Sequence, residues 1–168
     1  MRMKTPGRVW CLSGSAALFL ASTITPALAA ECGTGINPIL VVATGAAFGN
    51  YSPSSGTPAT TNGTITLTCT VVLLSTLPSF TVSLSASTSG QINPRQMSFG
   101  AARLNYNLFT TASYTTIWGN GTAPTVTQSY ASGDNLVLKT FTVYGRIPAG
   151  QVVAVGLYTD SLTVTITY

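Results

Sequence analysis

The stretch Leu162-Thr163-Val164-Thr165-Ile166-Thr167-Tyr168 alternates apolar and hydroxyl-bearing side chains up to the last residue of the chain. Alternation with a period of two predicts a β-strand that buries one face. Such a strand must pair within a sheet, because an unpaired apolar edge promotes aggregation. Two interpretations follow: the strand is paired inside its own domain, or it borders a gap that a strand of another chain fills.

The rest of the sequence repeats this pattern in short runs separated by Gly, Pro and Asn. Residues 64–71 form the clearest run, with threonines on one face and apolar side chains, including Cys69, on the other. Residues 39–43 are a first apolar run, and residues 52–63 have a loop composition. Further inward-facing sets are Phe80, Val82, Leu84 and Ala86; Leu104, Tyr106 and Leu108; and Val137, Phe141 and Val143. Because no long 3.6-residue period occurs, the sequence predicts an all-β antiparallel sandwich.

The first 29 residues are predicted to be a secretory signal peptide, followed by one domain over residues 30–168. Arg2, Lys4 and Arg8 precede an apolar stretch, and Ala27-Leu28-Ala29 gives a small-x-small cleavage site. Cleavage after Ala30 is the second choice. A membrane-spanning helix is disfavoured, because the apolar run is short and interrupted. The predicted location is therefore the periplasm and then the cell surface or the medium.

Removal of the leader leaves four basic and three acidic residues, a net charge of +1. Nucleic-acid binding is disfavoured, because it requires clustered Lys and Arg. Cys11 leaves with the leader, and Cys32 and Cys69 remain. In an oxidising compartment these two are expected to form a disulfide, and two free buried thiols are the alternative.

The sequence offers little for catalysis or metal binding. It contains no histidine, and its three carboxylates, Glu31, Asp134 and Asp160, are far apart along the chain. No base is available beside a Ser or Thr to activate it as a nucleophile. Asp160 is expected to accept hydrogen bonds at a turn rather than to hold calcium. The prediction is a non-enzymatic protein with no catalytic residues, no metal site and no cofactor.

Three further motifs have a structural and a functional interpretation. Asn62-Gly63-Thr64 and Asn120-Gly121-Thr122 match the N-glycosylation pattern, but Asn-Gly turns between strands are favoured. Trp118, with nearby tyrosines, is a possible ligand surface for carbohydrate, although aromatic residues of sandwiches more often pack in the core.

Six segments, in this order, resemble the spore coat protein U domain family, which includes subunits of archaic chaperone–usher fimbriae. The resemblance covers residues 41–168. The segments are Phe48-Gly49-Asn50-Tyr51, residues 64–70, residues 104–109, Trp118-Gly119-Asn120-Gly121-Thr122, residues 144–151 and residues 156–161.

The resemblance implies an immunoglobulin-like sandwich that lacks its last strand. A periplasmic chaperone would lend a strand, and an outer-membrane usher would replace it with the N-terminal segment of another pilus subunit. The implied donor-strand groove is lined by Leu162, Val164, Ile166 and Tyr168 on one side and by Ile39, Val41 and Ala43 on the other. The resemblance therefore implies an exported structural or adhesive pilus subunit. The alternatives are a stand-alone secreted coat or matrix protein and a carbohydrate-binding tip domain.

One departure from the family pattern concerns the donor segment, which in polymerising subunits precedes the first cysteine. Here only Glu31, with or without Ala30, separates Cys32 from the predicted cleavage site. Two interpretations remain. Either residues 36–42 serve as the donor, or the subunit accepts a strand and donates none, as at a fibre tip.

Overall fold

Two twelve-residue strands, Ala59–Thr70 and Leu136–Ile147, pair antiparallel along their whole length and form the centre of the larger sheet. The computed structural model describes residues 4–5, 12–13, 39–70, 79–131 and 136–167. β-branched and aromatic residues at alternate positions favour the extended conformation of both strands. Most inward side chains of this pair, among them Ile65, Leu67 and Val137, are almost completely buried.

The described residues form eleven strands and one short 3-10 turn at Pro53–Ser55. In chain order the strands are β1 (Lys4–Thr5), β2 (Leu12–Ser13), β3 (Leu40–Thr44), β4 (Ala59–Thr70), β5 (Ser79–Leu84), β6 (Arg95–Phe99), β7 (Ala102–Phe109), β8 (Gln128–Ala131), β9 (Leu136–Ile147), β10 (Thr159–Asp160) and β11 (Val164–Thr167).

The strands form two sheets. One has four strands in the order β1-β11-β5-β8, and the other has seven in the order β2-β10-β6-β7-β9-β4-β3. Every pair of neighbours is antiparallel. Residues from both sheets form one hydrophobic cluster. The predicted all-β antiparallel sandwich is confirmed.

The predicted inward faces agree with the structure except at one position. Phe80, Val82 and Leu84 of β5 are buried, and so are the predicted residues of β7 and β9. Ala86, beyond the end of β5, is only half-buried. The final strand begins at Val164, two residues after Leu162, where the alternating stretch begins. The preceding residues still bond to the chain after β5, since the Ser85 N–H donates to the Thr163 carbonyl.

Two predictions about turns and loops were wrong. The predicted loop over residues 52–63 ends early, because Ala59 to Gly63 belong to β4. Asn62-Gly63-Thr64 is therefore not a turn. Gly63 is needed there for close approach of β3, because a Cβ at Gly63 would lie 2.7 Å from the carbonyl oxygen of Thr44.

Candidate functional site

The final strand has one paired edge and one largely open edge. Its inward side chains, Val164 and Ile166, and the preceding Leu162 are buried in the core. β11 pairs with β5 along its whole length. On the other side, β1 reaches only the positions opposite Ile166 and Thr167. Among the described residues, the half of β11 that begins at Val164 has no backbone partner on that side.

The first strand of the domain, β3, is the margin of the larger sheet and pairs with β4 alone among the described strands. Ile39, Val41 and Ala43 point inward and pack against the core cluster, yet each is only half-buried. Leu40 and Val42 point outward and are 59% and 51% exposed. β3 thus carries apolar side chains on both faces.

A comparison of the inward faces of β3 and β5 locates the weak point of the sandwich. The inward residues of β5, Phe80, Val82 and Leu84, are at most 3% exposed. The inward residues of β3 are of similar chemistry but keep part of their surface in contact with water. In a sandwich, the inward face of a strand is buried by a strand of the other sheet that packs over it. Among the described strands, none covers the inward face of β3 completely.

We define the acceptor groove as the inward residues of β3 (Ile39, Val41 and Ala43) together with those at and before β11 (Leu162, Val164 and Ile166). Both sets border the same hydrophobic cluster. An extended segment beside β11 would bond to its open edge and place alternate side chains over β3. Tyr168, the remaining predicted groove residue, lies outside the described residues.

The side chain of Trp118, named above as a possible ligand surface, is buried and exposes no ring face to a ligand. Its side chain is 0% exposed, and its ring lies 5.9 Å from that of Phe141. The indole N–H donates to the Val82 carbonyl at 3.0 Å. The alternative prediction, core packing, is confirmed. The following Asn120-Gly121-Thr122 is a turn, as expected, because the Thr122 N–H donates to Asn120 Oδ1 and Gly121 has a φ of +87°.

Several of the segments that carried the family resemblance contact one another and support this frame. The Phe48 ring packs edge-on against Tyr106 and lies over Gly145, where a Cβ would come within 2.8 Å of it. The backbone N–H of Asn105 donates to Gln151 Oε1, and Gln151 Nε2 donates to the Asn105 carbonyl, each at 2.8 Å. The amide side chain of Gln151 therefore pairs with β7 as a neighbouring strand would.

Arg95, for which the sequence pattern predicted no role, begins β6 and is fully buried. Its guanidinium donates to the carbonyl oxygens of Ser85 and Trp118 and to Asn107 Oδ1, at 2.7 to 3.1 Å. Burial lowers the pKa of Arg95 to about 10, against the opposing effects of Tyr106 and Asp160. These bonds join the larger sheet to the chain that leaves β5.

Asp160 anchors the segment that leads into β11, as the sequence predicted. Its buried carboxylate accepts hydrogen bonds from the backbone N–H groups of Thr88 and Ser161, both at 2.8 Å, and from the Thr88 hydroxyl. The Tyr106 hydroxyl donates to Oδ2 at 2.6 Å. Burial, with the negative charge of Asp160 as the next cause, raises the pKa of Tyr106 well above its usual value.

The remaining predicted site residues are partly described. Cys69 is buried on β4, and Cys32, its predicted disulfide partner, lies outside the described residues. Within the described ranges, no group of three or more His, Cys, Asp and Glu side chains is placed to hold a metal ion. No helix in the same ranges has the length and apolar character needed to cross a membrane.

The chain was compared with protein families, curated proteins and solved structures. Residues 17–165 match a family model described as "Spore Coat Protein U domain". No curated protein and no solved structure matches the chain.

Proposed function

The chain belongs to the spore coat protein U domain family, and from this membership we propose that it is an exported fimbrial subunit whose fold is completed by a strand from a partner. In this proposal the domain is an immunoglobulin-like sandwich without its last strand. Its role is structural and adhesive rather than enzymatic. The observation that carries the proposal is the half-buried inward face of β3, combined with the open edge of β11.

Strand addition matches the chemistry of the acceptor groove. The open edge of β11 offers backbone donors and acceptors, and the inward faces of β3 and β11 offer an apolar surface. Four or five apolar side chains inserted by a partner would contribute about 8–12 kcal/mol before the cost of ordering the segment. Before that cost is subtracted, the gain is comparable to the whole free energy of unfolding of a typical domain.

Export fits the same proposal. We assign residues 1–29 to a cleaved signal peptide, with residues 30–168 as the mature domain and a disulfide between Cys32 and Cys69. β1 and β2 lie within the proposed leader and pair with β11 and β10. Cleavage would therefore remove the short strand that now covers part of the β11 edge. The freed edge would be protected by a periplasmic chaperone until an outer-membrane usher exchanged the chaperone for another pilus subunit.

The test is expression of the chain with and without its cognate periplasmic chaperone. We expect the chain to accumulate in soluble form only with the chaperone, because the uncovered groove aggregates. A chain that is soluble, monomeric and fully stable alone would refute strand borrowing.

A stand-alone secreted coat or matrix protein is the competing function, and it requires the domain to close its own edge. Native-state hydrogen exchange separates the two functions. Self-closure predicts strong protection of the β11 and β3 backbone in the isolated chain. Strand borrowing predicts that the amides on the open edge of β11 become protected only when a partner strand is bound.

A further inference from the structure

A second open edge lies on the larger sheet, away from the acceptor groove. β9 pairs with β4 on one side over its full length. On the other side it pairs with β7 only from Tyr144 to Arg146. Among the described residues, β9 has no second ladder from Leu136 to Val143. Since alternate residues of an antiparallel pair turn their N–H and C=O groups away from the partner, this stretch has backbone groups with no ladder partner among the described residues.

A cleft of about 240 Å³ borders this edge. We define the β9 cleft by the residues that face it from three sides: Thr110, Gln128, Ser129, Lys139, Thr142 and Tyr144. Its lining is mostly hydroxyl, amide and ammonium groups, with the half-buried ring of Tyr144 on the wall. Hydroxyl and amide side chains both donate and accept hydrogen bonds, as the hydroxyl groups of a sugar do.

Lys139 gives the β9 cleft a positive charge. It occupies an inward-facing position of β9 between Val137 and Phe141, where every other residue is apolar. Its ammonium lies 5.0 Å from the centre of the Tyr130 ring and 5.6 Å from that of Phe141. The one carboxylate among the described residues, that of Asp160, is bonded elsewhere. The Lys139 ammonium therefore lies beside two aromatic rings and has no carboxylate partner among the described residues. It is available to an anionic group that enters the cleft.

From this geometry we propose that the β9 cleft binds an acidic saccharide, with the carboxylate of the sugar on Lys139 and its hydroxyl groups on the surrounding side chains and the open edge of β9. The site is separate from the acceptor groove and does not depend on strand borrowing. In this proposal the carbohydrate-binding site is the β9 cleft and not an exposed face of Trp118. Trp118 borders the cleft from within the core, so that its fluorescence reports on the site.

The test titrates the chain, kept soluble in its complex with the cognate chaperone, with trigalacturonic acid; maltotriose serves as the neutral sugar, sodium acetate as the simple carboxylate and the chaperone alone as the blank. Tryptophan fluorescence and NMR chemical-shift changes give the affinity and the location. We expect saturable binding of trigalacturonic acid, with shifts at Thr142 and Tyr144. Maltotriose and acetate should bind at least about tenfold more weakly, because maltotriose has no carboxylate and acetate has no sugar hydroxyl groups.

Two variants separate the charge from the packing. Lys139→Met keeps the apolar stem over the aromatic rings and should weaken trigalacturonic acid binding at least about tenfold. Lys139→Arg keeps the charge and should retain most of the affinity. The proposal is refuted if trigalacturonic acid shows no saturable binding, or if acetate binds with equal affinity. It is also refuted if the chemical shifts change outside the cleft, or if Lys139→Met leaves the affinity unchanged. Circular dichroism of both variants checks that they fold.

Discussion

Replacing Val41 by threonine tests the acceptor groove most directly, because the two side chains have nearly the same shape and the same preference for strands. Val41 points inward and is half-buried, whereas its neighbour Val42 points outward and is 51% exposed. The matched control is therefore Val42→Thr on the same strand. Only the first substitution places a hydroxyl where an incoming partner strand would cover it.

The expected loss of partner affinity follows from the burial of each side chain. In the free chain the hydroxyl introduced by Val41→Thr keeps contact with water, so that this substitution should lower the free energy of unfolding only slightly. In the completed fold the hydroxyl is covered, and an unbonded buried hydroxyl costs about 1–3 kcal/mol. Partner affinity should fall by a factor of about 5 to 150. Val42→Thr should change affinity by less than a factor of about 3, since its side chain stays in water.

The assay measures the dissociation constant of each variant for the cognate chaperone by competition with the unsubstituted chain. Urea unfolding of the free variants gives the contribution that does not involve the partner. If Val41→Thr and Val42→Thr weaken binding equally, or if the whole effect of Val41→Thr appears in the free chain, β3 is not part of a partner-binding groove.

Three further changes test the frame that supports the groove. Tyr106→Phe removes a hydrogen bond to a buried carboxylate and should lower the free energy of unfolding by about 1.5–3 kcal/mol in urea titrations. The pKa of Tyr106 is raised in the fold. The contribution of its protonated hydroxyl to the free energy of unfolding is therefore complete below the pKa of tyrosine in the unfolded chain, about 10, and declines by about 1.4 kcal/mol per pH unit above it. Tyr106→Phe should therefore show a shallower loss of stability than the unsubstituted chain between about pH 10 and 11, and parallel curves would contradict the assignment. Gly145→Ala forces a methyl group against the Phe48 ring and should cost about 1–3 kcal/mol, and an unchanged urea midpoint would show that the ring moves aside freely. Cys32→Ser should lower stability by about 4 kcal/mol through loss of the cross-link that closes residues 32–69, and peptide mapping that pairs Cys69 with another cysteine would contradict this linkage.

The sequence predicted the elements whose signal is local. Alternation along residues 162–167 identified which side chains at and before the final strand are buried. The threonine and apolar faces of β4 were likewise evident from spacing. Asp160 was correctly expected to accept backbone hydrogen bonds before the last strand. In each case neighbouring residues contain the whole signal, because the side chains of a strand alternate between its two faces.

The sequence was misleading where distant segments meet. Asn62-Gly63 has the composition of a turn, but Gly63 continues a strand, because the backbone of β3 comes too close for any side chain. Trp118 was a candidate for a surface and is a core residue, because a carbonyl of β5 satisfies its indole N–H. Arg95 directly follows Asn93-Pro94, a dipeptide typical of turns. It is nevertheless buried, because three oxygens from separate segments converge on its guanidinium.

For this protein, residue spacing alone determined the all-β class and the inward faces of its strands, and the family could be recognised from the order of six motifs. Only the tertiary structure decided which strands lie at the sheet margins, how far the inward face of β3 is covered, and that Lys139 stands beside an open edge of β9. The physical reason is that burial depends on what packs across a strand from elsewhere in the chain. Alternation identifies which face of a strand is apolar, but the packing of distant segments determines whether that face is buried.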